Sequence, residues 1–260
     1  MSFKVIVLLF GVGILGSPPP VFGEEVKQPA QVTTTERVSF ATGGTIRITG
    51  SYGDLNVEGW DQPAVEITVI KSMPYDFKRQ HPEAATQRLD RVRVVTQRGS
   101  DTELTISTVV PSRDKPFGGG ADFRPESLVL PHSNKGGVSL EYQIHAPRDS
   151  KLVIHHGTGS VSVAGVTGDI EATCGRGDIL LWLPPGSDAP GSYAIDAKVK
   201  FGHVSSELEG AALNQFLIGQ RFERTNPPPS RRLYLRMGFG GITIKEIPHE
   251  AIGPVAANVK

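Results

Sequence analysis

The chain reads as an all-β protein: a β-solenoid or β-roll of short stacked strands with one short helix, with a β-sandwich as the alternative. Three observations point there. Glycine and proline are abundant, at 30 and 20 of 260 residues, above the ~12% that average usage gives for the two together. A short motif of glycine, any residue, an aliphatic, any residue and usually another apolar residue recurs along the chain. Copies that follow one another directly start nine residues apart, at Gly44 and Gly53 and again at Gly159, Gly168 and Gly177.

The copies run Gly44-Thr45-Ile46-Arg47-Ile48, Gly53-Asp54-Leu55-Asn56-Val57, Gly159-Ser160-Val161-Ser162-Val163, Gly168-Asp169-Ile170-Glu171-Ala172 and Gly177-Asp178-Ile179-Leu180-Leu181. Later copies are Gly202-His203-Val204 and Gly241-Ile242-Thr243-Ile244. Apolar residues alternate within each unit, which is the strand period. A glycine opens each unit because a turn between stacked strands often needs a positive φ. Near-identical units favour stacking, with Ile46, Leu55, Val161, Ile170, Ile179, Val204 and Ile242 facing the interior. Thr45, Asp54, Ser160, Asp169, Glu171 and Asp178 face outward.

Between the repeat blocks, Val65–Ile70 alternates as a strand. Pro82–Leu89 reads as a short helix with proline in its first turn. Val92–Val95 and Glu103–Val110 read as a hairpin around Arg98-Gly99-Ser100-Asp101, and Val138–Ile144 and Lys151–Ile154 as two further strands about a Pro147-Arg148-Asp149 turn. The expected organisation is a signal peptide at 1–23, an N-terminal linker at 24–39, one repeat domain at 40–247 and a tail at 248–260. Surface insertions rich in Gly, Pro and charge interrupt the domain at 111–137 and 209–230.

The first 23 residues have the order of a secretory signal: Lys4, then an apolar run to Leu15, then Pro18-Pro19-Pro20 and Val21-Phe22-Gly23 before Glu24. The apolar run of Val5–Gly16 is shorter than the roughly 18–20 residues of a membrane span. Export to the periplasm, cell surface or medium is the expectation, with no transmembrane span after cleavage. Lys+Arg and Asp+Glu balance at 27 each, which speaks against a nucleic-acid partner bound through phosphates. The single Cys cannot form an internal disulfide or a cysteine zinc cluster.

The order of strand, short Glu-Ala-Ala helix, hairpin, Tyr142-x-Ile144-x-x-Pro147 strand and glycine-paced block resembles the bacterial putative-adhesin family of exported adhesin-like domains. The residues that carry the resemblance are Ser139–Pro147, Gly159–Leu183 and Leu233–Ile244, within roughly residues 40–247. It implies a right-handed-type β-solenoid at the cell surface or in the periplasm, with no catalytic residues and a partner drawn from the envelope, proteins or glycans. The two insertions are longer than such a domain ordinarily carries.

Several candidate sites have a plainer explanation. Arg176-Gly177-Asp178 spells an integrin-recognition tripeptide, yet Gly-Asp already belongs to the repeat. Asp54, Asp169 and Asp178 recur at one repeat position, but lack the added glycine pair of calcium-binding nonapeptides and fit solvated turn carboxylates. His155 and His156 point to opposite faces of a strand and, with His145, read as surface residues. Cys174 reads as a small buried residue. No metal and no cofactor is expected. A carbohydrate-active solenoid enzyme using Asp169 and Asp178 as neighbours across a rung is the alternative to a non-catalytic binding protein. The candidate contacts for specificity are Phe117, Phe123 and Arg124, with Arg113 and Lys115, in the first insertion.

Overall fold

The computed structural model describes residues 30–109, 138–189, 192–208, 212–215, 219–225 and 231–248. The strands are β1 (Ala30–Ser39), β2 (Thr45–Tyr52), β3 (Asp54–Trp60), β4 (Ala64–Met73), β5 (Arg93–Ser100), β6 (Glu103–Val109) and β7 (Ser139–Pro147), followed by β8 (Lys151–Thr158), β9 (Val161–Ala164) and β10 (Ile170–Leu183). The last four are β11 (Tyr193–Ser206), β12 (Ala212–Gln215), β13 (Gln220–Arg224) and β14 (Arg231–Glu246). Helices α1 (Tyr75–Gln80) and α2 (Pro82–Arg91) follow β4. The protein is all-β, built on one curled sheet.

The middle of the sheet is five parallel rungs, each bent at a glycine into two limbs. β2, β8, β10, β14 and β11 lie side by side in the first limb. β3, β9, β10, β14 and β11 do so in the second. The nine-residue pulse is therefore one limb, and an 18-residue step such as Gly159 to Gly177 is one whole rung. Parallel stacking brings like residues into rows. Ile46, Leu152, Ile170, Leu233 and Ile195 pair in succession across the first limb. Leu55, Val161, Ile179, Ile242 and Val204 do the same across the second. All seven residues expected to line the interior are buried, and each is worth roughly 1.5–3 kcal/mol in transfer energy before entropy is counted.

The bends explain the glycines. Gly53, Gly159, Gly177, Gly240 and Gly202 form one column with φ between +109° and +140°. A Cβ on Gly240 would lie 1.6 Å from the carbonyl oxygen of Gly177, so both the backbone angle and the stacking distance demand glycine. The sequence motif placed this last corner at Gly241. The preceding Gly240 makes it, and Gly241 sits in the row of Asp178 and His203. Gly44 and Gly168 are a different kind of glycine, without positive φ. They open the first limb where another chain passes close, and a Cβ on Gly168 would lie 2.2 Å from the Ser150 carbonyl oxygen.

The margins are where the chain departs from simple repetition. β11 precedes β14 in sequence, yet β14 lies between β10 and β11, so the last pass through the sheet inserts into it rather than adding at its end. β4 runs antiparallel to both β1 and β7, β5 to β6, and β13 to both β11 and β12. Residues 30–39, expected to be linker, form β1. This strand is almost wholly exposed, so it has no apolar alternation to betray it, and its Thr33-Thr34-Thr35 run supplies β-branched propensity alone. Two helices stand where one was expected. The second insertion contains β12 and β13, which pair antiparallel with each other while β13 extends β11. The signal-like segment 1–23, the tail from 249 and the insertion 111–137 lie outside the described residues.

Candidate functional site: the corner ladder

At each bend one residue stands just before the corner glycine. In three rungs it is flanked by glycine on both sides: Gly157-Thr158-Gly159, Gly175-Arg176-Gly177 and Gly238-Phe239-Gly240. The other two rungs carry Ser51-Tyr52-Gly53 and Lys200-Phe201-Gly202. These corner residues are in register, so Tyr52, Thr158, Arg176, Phe239 and Phe201 form a ladder across the five rungs. Backbone bonds tie it together. Gly53 N donates to Thr158 O at 2.9 Å, and Gly159 N to Arg176 O at 2.9 Å.

The ladder changes character along its length. Tyr52 is buried at 8% exposure, whereas Phe239 and Phe201 are each 43% exposed. The two phenyl rings stack with centroids 4.5 Å apart and planes 6° from parallel, and the Arg176 guanidinium lies 5.7 Å from the Phe239 centroid. Two large apolar rings held in this way in solvent are unusual beside a core that buries its aliphatics almost completely. They follow from the parallel register, since residues stacked a rung apart fall within ring-stacking distance.

The aspartates just after the corner have a structural task. Asp54 Oδ1 accepts from Ser160 N at 3.0 Å and Asp178 Oδ1 from Gly241 N at 2.9 Å, each on the next rung. Asp169 Oδ1 accepts from Arg232 N at 2.9 Å at the start of the first limb. Asp169 and Asp178 are not neighbours across a rung as the sequence suggested. They lie nine residues apart along one rung, Asp169 immediately before β10 and Asp178 within it just past the corner. Their lateral neighbours are not carboxylates but the β14 residues Arg232 and Gly241. Arg176-Gly177-Asp178 is likewise part of the corner, with its glycine in the column and its aspartate bonded across the rungs.

The three histidines separate. His155 is exposed and His156 is buried, which corrects the expectation of a surface residue for the second. His156 faces inward in a row with Gly50, Cys174 and Met237. Its Nε2 lies 2.7 Å from Gly53 O and 3.1 Å from Thr158 O, so Nε2 carries the proton and donates to the first corner. Burial holds its pKa below the usual histidine value, against the pull of those carbonyls and of Asp54. Cys174 is buried, with Sγ 3.5 Å from Gly159 O and from Arg176 O, and burial pushes its thiol up to about 11. A neutral imidazole beside a protonated thiol is the reverse of an activated nucleophile. His145 lies on β7, at the margin beside β3, stacked on Trp60 at 5.2 Å with Glu58 Oε2 3.5 Å away. Among the described residues no group of three or more His, Cys, Asp or Glu side chains is arranged to hold a metal ion.

A groove of about 380 Å³ opens elsewhere, between β1 and β5. Its floor is Ile67, Val69 and Val92, all buried, and Thr96 Oγ1 bridges it to Glu36 Oε2 at 2.8 Å. Phe117, Phe123 and Arg124 fall outside the described residues. The sequence motif treated the corner residues as free positions and so missed Phe239 and Phe201. The available signal was the glycine on either side of Thr158, Arg176 and Phe239.

No model of a known protein family matches the chain, and no curated protein matches it. Among solved structures it is similar to a "putative cell adhesion protein" from Clostridium sporogenes, at 12% identity over 85% of this chain and 100% of that one, with a TM-score of 0.42. It is similar to a "putative adhesin" from Bacteroides fragilis, at 8% identity over 84% of this chain and 99% of that one, with a TM-score of 0.25. A third is a "putative lipid binding protein" from Parabacteroides distasonis, at 11% identity over 83% of this chain and 97% of that one, again with a TM-score of 0.25.

Proposed function

We propose that the protein is an exported, non-catalytic, adhesin-like scaffold of β-solenoid type whose corner ladder is a binding surface for a cell-envelope, protein or glycan partner. The observation that carries this is the stacked, exposed pair Phe201 and Phe239 beside Arg176. Aromatic and arginine side chains on a rigid support are the residue types that dominate binding energy at interfaces. The parallel rungs fix the ladder's spacing, and at Arg176 and Phe239 the glycines on either side leave it open. The signal-like N-terminus and the sequence resemblance to exported adhesin-like domains support the location. No helix among the described residues is long and apolar enough to cross a membrane.

The alternative, a carbohydrate-active enzyme on Asp169 and Asp178, finds no support in the geometry. A retaining or inverting glycosidase needs two carboxyl groups facing one bond, about 5–10 Å apart. These two lie nine positions apart along one rung, on either side of its corner, and each has an oxygen engaged by a backbone N–H. The insertion 111–137, with Phe117, Phe123 and Arg124, remains a second candidate contact in this proposal.

The test is retention of the purified protein on arrayed envelope fractions, glycans and proteins. The F201A/F239A double variant is compared with Y234A, which removes an exposed aromatic from the outward face of β14. Loss of retention in the double variant and not in Y234A supports the ladder. Equal retention of all three forms sinks it.

A further inference from the structure

We propose that the ligand of the corner ladder is a linear, acidic polysaccharide lying along the stacked rungs, one sugar ring to about one rung. This rests on the function proposed above and names its partner class.

The first ground is periodicity. The ladder repeats by translation, at the strand separation of about 4.8 Å, and its two exposed rings realise that step at 4.5 Å. A linear chain of six-membered sugars also repeats by translation, and one ring is about as long as one rung. A protein partner without a stacked repeat of its own offers no such translation. The flanking glycines matter in the same way. With Gly175 and Gly177 beside Arg176, and Gly238 and Gly240 beside Phe239, no neighbouring side chain closes these two rungs of the ladder at either flank. A long polymer can lie on it without threading or presenting an end.

The second ground is chemistry. Phenyl rings pack against the apolar C–H faces of sugars, and a guanidinium pairs with a carboxylate through two parallel N–H donors. Arg176 follows the phenyl pair directly in the ladder. Lys200 stands beside Phe201, exposed, and makes no salt bridge among the described residues. The carboxylate nearest in sequence, Asp178, has one oxygen committed to Gly241 N. The phenyl end of the ladder thus offers more cationic than anionic groups, although the whole chain is balanced at 27 against 27. Uronic-acid or similarly acidic sugars match that local excess.

The test is titration calorimetry of the purified protein against polygalacturonate, its oligomers of increasing length, a neutral linear β-glucan and polyglutamate. Polygalacturonate is expected to bind, with affinity rising with oligomer length up to about three sugars and then levelling, since the exposed end of the ladder is Phe201, Phe239 and Arg176. F201A/F239A should weaken it at least tenfold. R176Q should abolish the preference for acidic over neutral polymer and flatten the salt dependence. Equal binding of polyglutamate overturns the inference, because charge alone then suffices. Failure to bind any saccharide, while F201A/F239A still abolishes retention of a protein on the array, overturns the glycan and leaves the binding surface standing. Saccharide binding unaffected by the double variant removes both.

Discussion

The two ends of the corner ladder share a backbone and differ in what they do with it. At the β2 and β8 end, Tyr52 is buried and His156 ties the corner inward through Gly53 O. At the β14 and β11 end, the equivalent inward positions hold Met237 and Val199, and the corner residues Phe239 and Phe201 stand in solvent. The glycine column sets the bend at both ends, so it does not decide exposure. A corner residue can therefore change from core to surface without any change in the path of the chain. Stability is concentrated in the glycines and the inward rows, while recognition is assigned to the exposed end.

This contrast can be broken most severely at the column itself. Gly240→Val would place a Cβ 1.6 Å from Gly177 O at a φ of +134°, and strain and overpacking together are expected to cost about 4 kcal/mol or more. The control is Gly186→Ala. That glycine also has positive φ, +82°, but nothing lies within 4 Å of its Cβ position, and about 1 kcal/mol is expected. Urea denaturation midpoints of the two variants should separate clearly. Comparable losses would mean that stacking at the corner matters little.

Truncating the second-limb row comes next. Leu181 is fully buried between Val163 and Ile244, and Leu181→Ala is expected to lose about 3 kcal/mol by denaturation. The His156 corner gives a smaller, pH-dependent effect. Its folded pKa lies below the unfolded value of about 6.5, so the unfolded chain takes up the proton first. The stability due to the neutral ring is fully present above about pH 6.5 and is lost as pH falls from there toward the folded pKa. His156→Gln keeps a donor for Gly53 O and should flatten the dependence of the denaturation midpoint on pH below about 6.5. A further acid-labile contribution lies lower. Partial burial favours the neutral form of Asp196, but hydrogen bonds from Arg236 and Arg221 overcome it and hold the carboxyl below its ordinary value. Its stabilisation is present above the ordinary carboxylate range and is lost only as pH falls through the depressed value. Smaller again is Asp178→Ala, which leaves Gly241 N without its side-chain acceptor and is expected to cost about 1 kcal/mol in the same assay.

The sequence made some of these features visible and hid others, for physical reasons. The inward rows were legible because Ile46, Leu55, Val161, Ile170, Ile179, Val204 and Ile242 alternate with polar residues and strand period is a local property. The corners at Gly53, Gly159 and Gly177 were legible because a required positive φ restricts the residue type. The last corner was placed one residue late, since Gly240 and Gly241 are adjacent and only the contact with Gly177 tells them apart. The insertion of β14 between β10 and β11 was not legible at all. Which parallel strands pair is fixed by long-range packing, and the two strands carry equivalent apolar patterns. β1 was missed because an exposed edge strand buries too little to impose a pattern. The phenyl pair was missed because Phe201 and Phe239 are 38 positions apart in sequence and become neighbours only through the long-range parallel pairing of β11 with β14.

The most direct measurement is a paired one on the F201A/F239A protein: its denaturation midpoint and its retention on the ligand array. Because both rings are largely in solvent, the expected stability change is within about 0.5 kcal/mol, with retention lost. Retention preserved at unchanged stability would contradict the assignment of recognition to the exposed end of the ladder, and a large drop in the midpoint would place the phenyl pair with the core instead.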